Sequence, residues 1–188
     1  MAVLPIVITG EPVLHAPAAP VSDITDETRQ LVDDLFETMA AAPGVGLAAP
    51  QVGVNARIFV YDFTDDDDVH WRGVAINPDL LISPVPLGDA DEIDESEGCL
   101  SVPGERFPLR RADRALLRAT DLDGKPVEIE AHGWLARIFQ HEFDHLGGIL
   151  YTDRLAHPHG KAAAKVIRKR SWGVPGQSWM PGLDDLEG

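Results

Sequence analysis

Gln140-His141-Glu142-Phe143-Asp144-His145-Leu146 is the stretch on which the reading of this chain turns. Its HEFDH core sets two histidines four residues apart, with a glutamate directly after the first. On a helix both imidazoles project from one face, one turn apart, close enough to bind a single metal ion. Glu142 then lies beside the ion without having to be a ligand, and is free to handle a proton. Trp134, Leu135, Ile138, Phe139, Phe143 and Leu146 spread apolar residues around the same segment. The helix is therefore expected to be largely buried, with Gly147-Gly148 as its stop. Trp134 and Ile138 extend the face that bears the histidines. The competing reading is a pair of core histidines with hydrogen-bonded nitrogens.

Composition bounds what such a helix can belong to. A chain of 188 residues, 44% hydrophobic and 25% charged, suits one compact domain with a core of its own. A formal net charge of -15 argues against broad or sequence-specific nucleic-acid binding, because a phosphate partner is repelled overall. Cys99 is the single cysteine, so no internal disulfide forms, which suits a reducing compartment. The opening MAVLPIVITG has no basic segment, and its short apolar run is broken by Pro5. No stretch approaches the length of a membrane span. These features predict a cytoplasmic protein.

The rest of the chain reads as alternating strands and a few helices. Val3 to Thr9 is β-rich, and Val13 to Val21, with its prolines, reads as an extended connection. Thr25 offers an N-cap, and Leu31, Leu35 and Met39 recur at helical spacing, which predicts a helix from Asp26 to Ala41 closed by Pro43-Gly44. Gly44 to Gly53, GVGLAAPQVG, lacks the lysine of a phosphate loop and on its own reads as a buried small-residue turn. Arg57 to Phe63 predicts a strand with Asp65 to Asp68 as its solvated tip. Val74 to Ile76 and Leu80 to Val85 read as separate strands parted by Asn77-Pro78. Six acidic residues between Asp89 and Glu97 predict an exposed, mobile loop. Leu116 to Thr120 and Val127 to Glu130 form a hairpin. A last helix, His159 to Ser171, carries Lys161, Lys165, Arg168, Lys169 and Arg170, and from Gly173 onward the tail breaks up. No linker calls for a second domain, so residues 1–188 read as one domain with a basic C-terminal helix and tail from about residue 157.

Two histidines do not complete a metal site. A third histidine at the spacing of one protease class would fall on Tyr151, and no glutamate occurs between Glu142 and Glu187. His157 and His159 remain open, among prolines and glycines. Cys99 is the more attractive ligand, because its thiolate binds iron, zinc or cobalt well and the Gly98-Cys99-Leu100 turn can approach a helix. A free buried cysteine is the alternative. Three protein ligands would leave one position for water, the mark of a catalytic site.

GVGLAAPQVG at Gly44 to Gly53, EGCLS at Glu97 to Ser101 and QHEFDHLGG at Gln140 to Gly148 together resemble the bacterial peptide deformylases. The resemblance implies an α+β fold with mainly antiparallel sheets packed around a central helix that carries the HExxH motif. It implies Cys99, His141 and His145 as ligands of one divalent metal, natively Fe2+, with Zn2+, Ni2+ or Co2+ able to substitute. Sulfur and nitrogen ligands in tetrahedral array would by themselves point to zinc. Glu142 is implied as the general base, and the Gln51 amide and the Leu100 backbone N–H as donors to the oxyanion. Val45, Gly46 and Arg106 are implied to line the substrate pocket. The implied reaction is hydrolysis of the formyl group from N-formylmethionyl peptides, releasing formate. The implied substrate also suggests that the basic C-terminal helix docks on the ribosome. Two rival readings share the motif: an HExxH metallopeptidase, and a non-catalytic binding protein stabilised by a structural metal.

Overall fold

The computed structural model describes residues 2–184 and 186. In chain order its elements are β1 (Ile6–Val7), α1 (Asp26–Ala41), β2 (Gly46–Ala48), β3 (Ile58–Thr64), β4 (His70–Ile82), β5 (Ser96–Cys99) and β6 (Val102–Pro108). There follow β7 (Arg114–Thr120), β8 (Pro126–His132), α2 (Gly133–Leu146), α3 (Tyr151–Arg154), α4 (His159–Lys169) and β9 (Ser178–Trp179). Short 3-10 turns cover Pro12–His15 and Ala49–Val52. The fold is α+β. An antiparallel five-stranded sheet has the order β2-β3-β4-β7-β8, and β5-β6 and β1-β9 form two smaller ribbons.

β3 explains how the layers assemble. Successive side chains on a strand point to opposite faces, so an unbroken apolar run needs cover on both. Ile58 and Val60 join Val32, Leu35 and Met39 of α1 in one cluster. Phe59 and Tyr61 join Leu135 and Phe139 of α2 in another. The sheet is thus held between α1 and α2. The Tyr61 and Phe139 rings meet edge to face at 5.0 Å, a geometry worth about 1 kcal/mol beyond the area it buries.

α1 starts as its sequence predicts. Thr25 Oγ1 accepts from the Thr28 N–H, and Thr28 Oγ1 accepts from the Thr25 N–H, so Thr28 fills the place an acid takes in the commoner capping box. Elsewhere the chain departs from expectation. The strands expected on either side of Asn77-Pro78 are one strand, β4. A bulge between Ile76 and Asp79 absorbs Pro78, which has no N–H to give to the ladder. Asn77 takes φ 50° there, and its side chain bonds both the N–H and the carbonyl of Val21, each at 2.8 Å. α4 ends at Lys169, two residues before the expected Ser171, which itself has φ 60°. The tail expected to be irregular supplies β9, which pairs with β1. Among the described residues no helix is long and apolar enough to cross a membrane.

Candidate metal centre and active-site pocket

α2 presents His141 and His145 on one face, with their Nε2 atoms 3.2 Å apart. The β5-β6 hairpin turns at Leu100-Ser101 and lays Cys99 against them, placing Sγ 3.3 Å from His145 Nε2. One donor atom from each residue lies within 4.8 Å of the others, and all three residues are buried. An ion with bonds of about 2.0–2.1 Å to nitrogen and about 2.3 Å to sulfur, in tetrahedral array, keeps its ligand atoms roughly 3.3–3.6 Å apart. The donor set therefore fits one metal ion, in both spacing and chemistry.

Behind the cluster lies a polar network that orients the candidate ligands. His141 Nδ1 donates to Glu97 Oε1 at 2.6 Å, which leaves the Nε2 lone pair facing Cys99 and His145. Arg111 grips Glu97 with two parallel bonds of 2.8 and 2.6 Å, and Arg137 adds a third at 3.1 Å. Arg111 also donates to Asp144, which takes two further bonds from Arg154. Burial pushes the Glu97 pKa up, but the hydrogen bonds from Arg111 and His141 outweigh it and hold the carboxyl well below the carboxylate range. A depressed carboxyl stabilises the fold fully above its ordinary 4.5, and loses that contribution as the pH falls below it. The network is therefore intact at neutral pH. Burial holds His145 well below the usual histidine range, so it stays neutral, as metal ligation would require. Tyr151, from the single turn α3, stacks on His141 with ring centroids 6.1 Å apart.

The residues expected to do chemistry open onto a pocket of about 250 Å3 in front of this cluster. Glu142 is 4% exposed, its Oε2 has no hydrogen-bond partner, and burial raises its pKa to about 7. Its carboxylate is pressed against Gly46, where a Cβ would collide with it. Gln51 Oε1 accepts from the Ala48 N–H at 2.9 Å, which turns Nε2 toward Cys99 Sγ at 3.7 Å and Ser101 Oγ at 3.5 Å. Leu100, Gly46, Val45 and Arg106 line the pocket, with Val45 half-exposed at its rim. Arg106 lies across from Gly98 and donates to the Ser96 carbonyl at 3.3 Å. Trp134, on the helix face that bears the histidines, lines the same pocket and is 40% exposed, more than the largely buried helix led one to expect. His157 and His159 are not part of the ligand cluster; His159 pairs with Glu92 at 3.3 Å.

Residues 3–161 match the family model of polypeptide deformylases. The chain belongs to that family. It is 52% identical over 190 residues to a peptide deformylase of Tropheryma whipplei, covering 95% of this chain and 94% of that protein. The crystal structure of a peptide deformylase from Legionella pneumophila superposes with TM-score 0.76 at 36% identity, covering 90% and 96% of the two chains. The Met-Ala-Ser bound structure of the Acinetobacter baumannii enzyme superposes with TM-score 0.71 at 38% identity, over 81% and 98%. The family consists of metal-dependent hydrolases, so the chain is an enzyme, and the non-catalytic reading falls away.

Sequence reading overlooked Glu97, Arg111 and Asp144. Glu97 was counted with an acidic run expected to be exposed and mobile. Its position on β5 turns it inward, 3% exposed, because a cluster of buried arginines is there to pair with it. The usable signal was its place directly before Gly98-Cys99. We expect Glu97→Gln to lower metal affinity roughly 10–100-fold, measured by competition with a chelator. Unchanged affinity in the folded variant would remove Glu97 from this role.

Proposed function

We propose that this protein removes the N-formyl group from the N-terminal formylmethionine of newly made polypeptides, releasing formate. The observation that carries the reading is Glu142, a buried carboxylate with an unpartnered oxygen, facing the pocket beside the Cys99–His141–His145 cluster. Cys99, His141 and His145 would hold a divalent metal, which would supply Lewis acidity toward water at neutral pH. Glu142 takes the proton of the attacking water and returns it to the leaving amide nitrogen, which becomes the free peptide N-terminus. The Gln51 Nε2 amide and the Leu100 N–H donate to the formyl oxygen as it gains negative charge, each worth about 3 kcal/mol. Gly46 leaves room for Glu142 while β2 lies open to an extended peptide, and Val45 and Arg106 border the methionine pocket.

One thiolate and two imidazoles suit Fe2+, Zn2+, Ni2+ and Co2+ alike. Fe2+ as the native ion is supported by the resemblance to the family. A substrate emerging from the ribosome also gives α4 a role. Its exposed Lys161, Lys165, Arg168 and Lys169 form a basic face on a chain of formal charge -15, suited to ribosome docking.

Formate release from formyl-Met-Ala-Ser, set against cleavage of the unblocked peptide, separates a deformylase from an HExxH metallopeptidase. Formate release alone is expected. Glu142→Ala should keep its metal and lose activity by at least about 100-fold; an active variant would sink the general-base role. Charge reversal at Lys165 and Arg168 should weaken co-sedimentation with ribosomes, and undiminished binding removes α4 from that contact. Truncation is the wrong variant here, since it also deletes β9.

A further inference from the structure

The turn that carries Leu100 is held from outside by the two ends of the chain. β1 and β9 pair with Ile6 opposite Trp179 and Val7 opposite Ser178, and the Ile8 N–H donates to the Gln177 carbonyl at 3.0 Å. From this ribbon the Thr9 N–H donates to the Ser101 carbonyl at 2.8 Å. The Trp179 indole N–H donates to the Leu100 carbonyl, also at 2.8 Å. Consecutive carbonyls of the turn are thus both taken. Trp179 is 3% exposed and packs in the same cluster as Leu100, Ile6 and Leu35. It lies beyond residue 161, where the family match ends.

We propose that Trp179 is a positioning residue for the reaction: its indole N–H, by holding the Leu100 carbonyl, fixes the Cys99-Leu100-Ser101 turn and keeps the Leu100 N–H aimed into the pocket. The proposal rests on the reading of that N–H as an oxyanion donor. The amide and the carbonyl of Leu100 flank one α-carbon, so pinning the carbonyl restricts where the amide can point. A donor fixed in advance needs no reorganisation when charge develops, and small misplacements at such a position are expensive. The indole is suited to the task because it is a donor only and, once buried, requires an acceptor. The same turn brings the Ser101 N–H to Cys99 Sγ at 3.4 Å, so its conformation also bears on the metal cluster.

Trp179→Phe keeps an aromatic ring in the cluster and removes the donor. The expected result is a fall in kcat for formyl-Met-Ala-Ser of about tenfold, with KM within about twofold and metal content unchanged. In the metal-free protein, amide exchange at Leu100 and Ser101 should quicken about tenfold while β3 is unaffected. A kcat within about twofold of wild type, or activity that only tracks the loss of folded, metal-loaded protein, overturns the proposal. So does unchanged exchange at the turn. If the Phe variant does not fold, replacing the indole of Trp179 by its benzothiophene isostere keeps both rings, loses the N–H and decides the same comparison. Should the wild type release no formate, the proposed function fails and this proposal with it. Should the wild type be active and the variant match it, this proposal alone fails.

Discussion

The Glu97 carboxylate, buried among Arg111, Arg137 and His141, is the interaction on which the rest depends. An isolated charge in such a place would cost several kcal/mol, and two paired guanidinium groups offset that cost only while all partners are present. Removing one partner from a buried pair of this kind typically destabilises by about 3–5 kcal/mol. The same bonds do chemical work. They select the His141 tautomer, so that its Nε2 is free to act as a ligand, and they tie the β5-β6 hairpin that carries Cys99 to the helix that carries both histidines. Asp144, between those histidines in sequence, extends the tie through Arg111 and Arg154 to α3.

The pocket depends on a second constraint, close approach. Gly46 is at β2 because the Glu142 carboxylate occupies the space of a side chain. β2 is an edge of the large sheet, and α2 is pressed onto that sheet by Phe59, Tyr61 and Phe139. Packing of the second core therefore sets the distance between the proposed base and the strand beside which a peptide would lie. A shift of α2 would alter the metal cluster and the pocket together.

Local signals were legible and long-range ones were not. α1 runs from Asp26 to Ala41 as its apolar spacing and Thr25 cap predict, since both signals lie within the helix. α2 and the β7-β8 hairpin were legible for the same reason. The Asn77 bulge was hidden because it is fixed by Val21, far away in sequence. Glu97 looked like one more surface acid, because its arginine partners lie 14 and 40 residues on. β9 is two residues long and exists only because β1 is there to pair with it. Among the candidate site residues, His141, Glu142 and His145 stand out because their spacing carries chemistry, and Cys99 because of its thiolate and the motif around it. The residues that hold them carry none by themselves.

The proposed chemistry requires one thiolate and two imidazoles to share a single ion. X-ray absorption of the protein loaded with one equivalent of Co2+ or Zn2+ tests this directly. A first shell with one sulfur near 2.3 Å and two imidazole nitrogens near 2.0–2.1 Å, the sulfur lost in Cys99→Ser, is the predicted result. A shell with no sulfur, or an unchanged shell in Cys99→Ser, would contradict it.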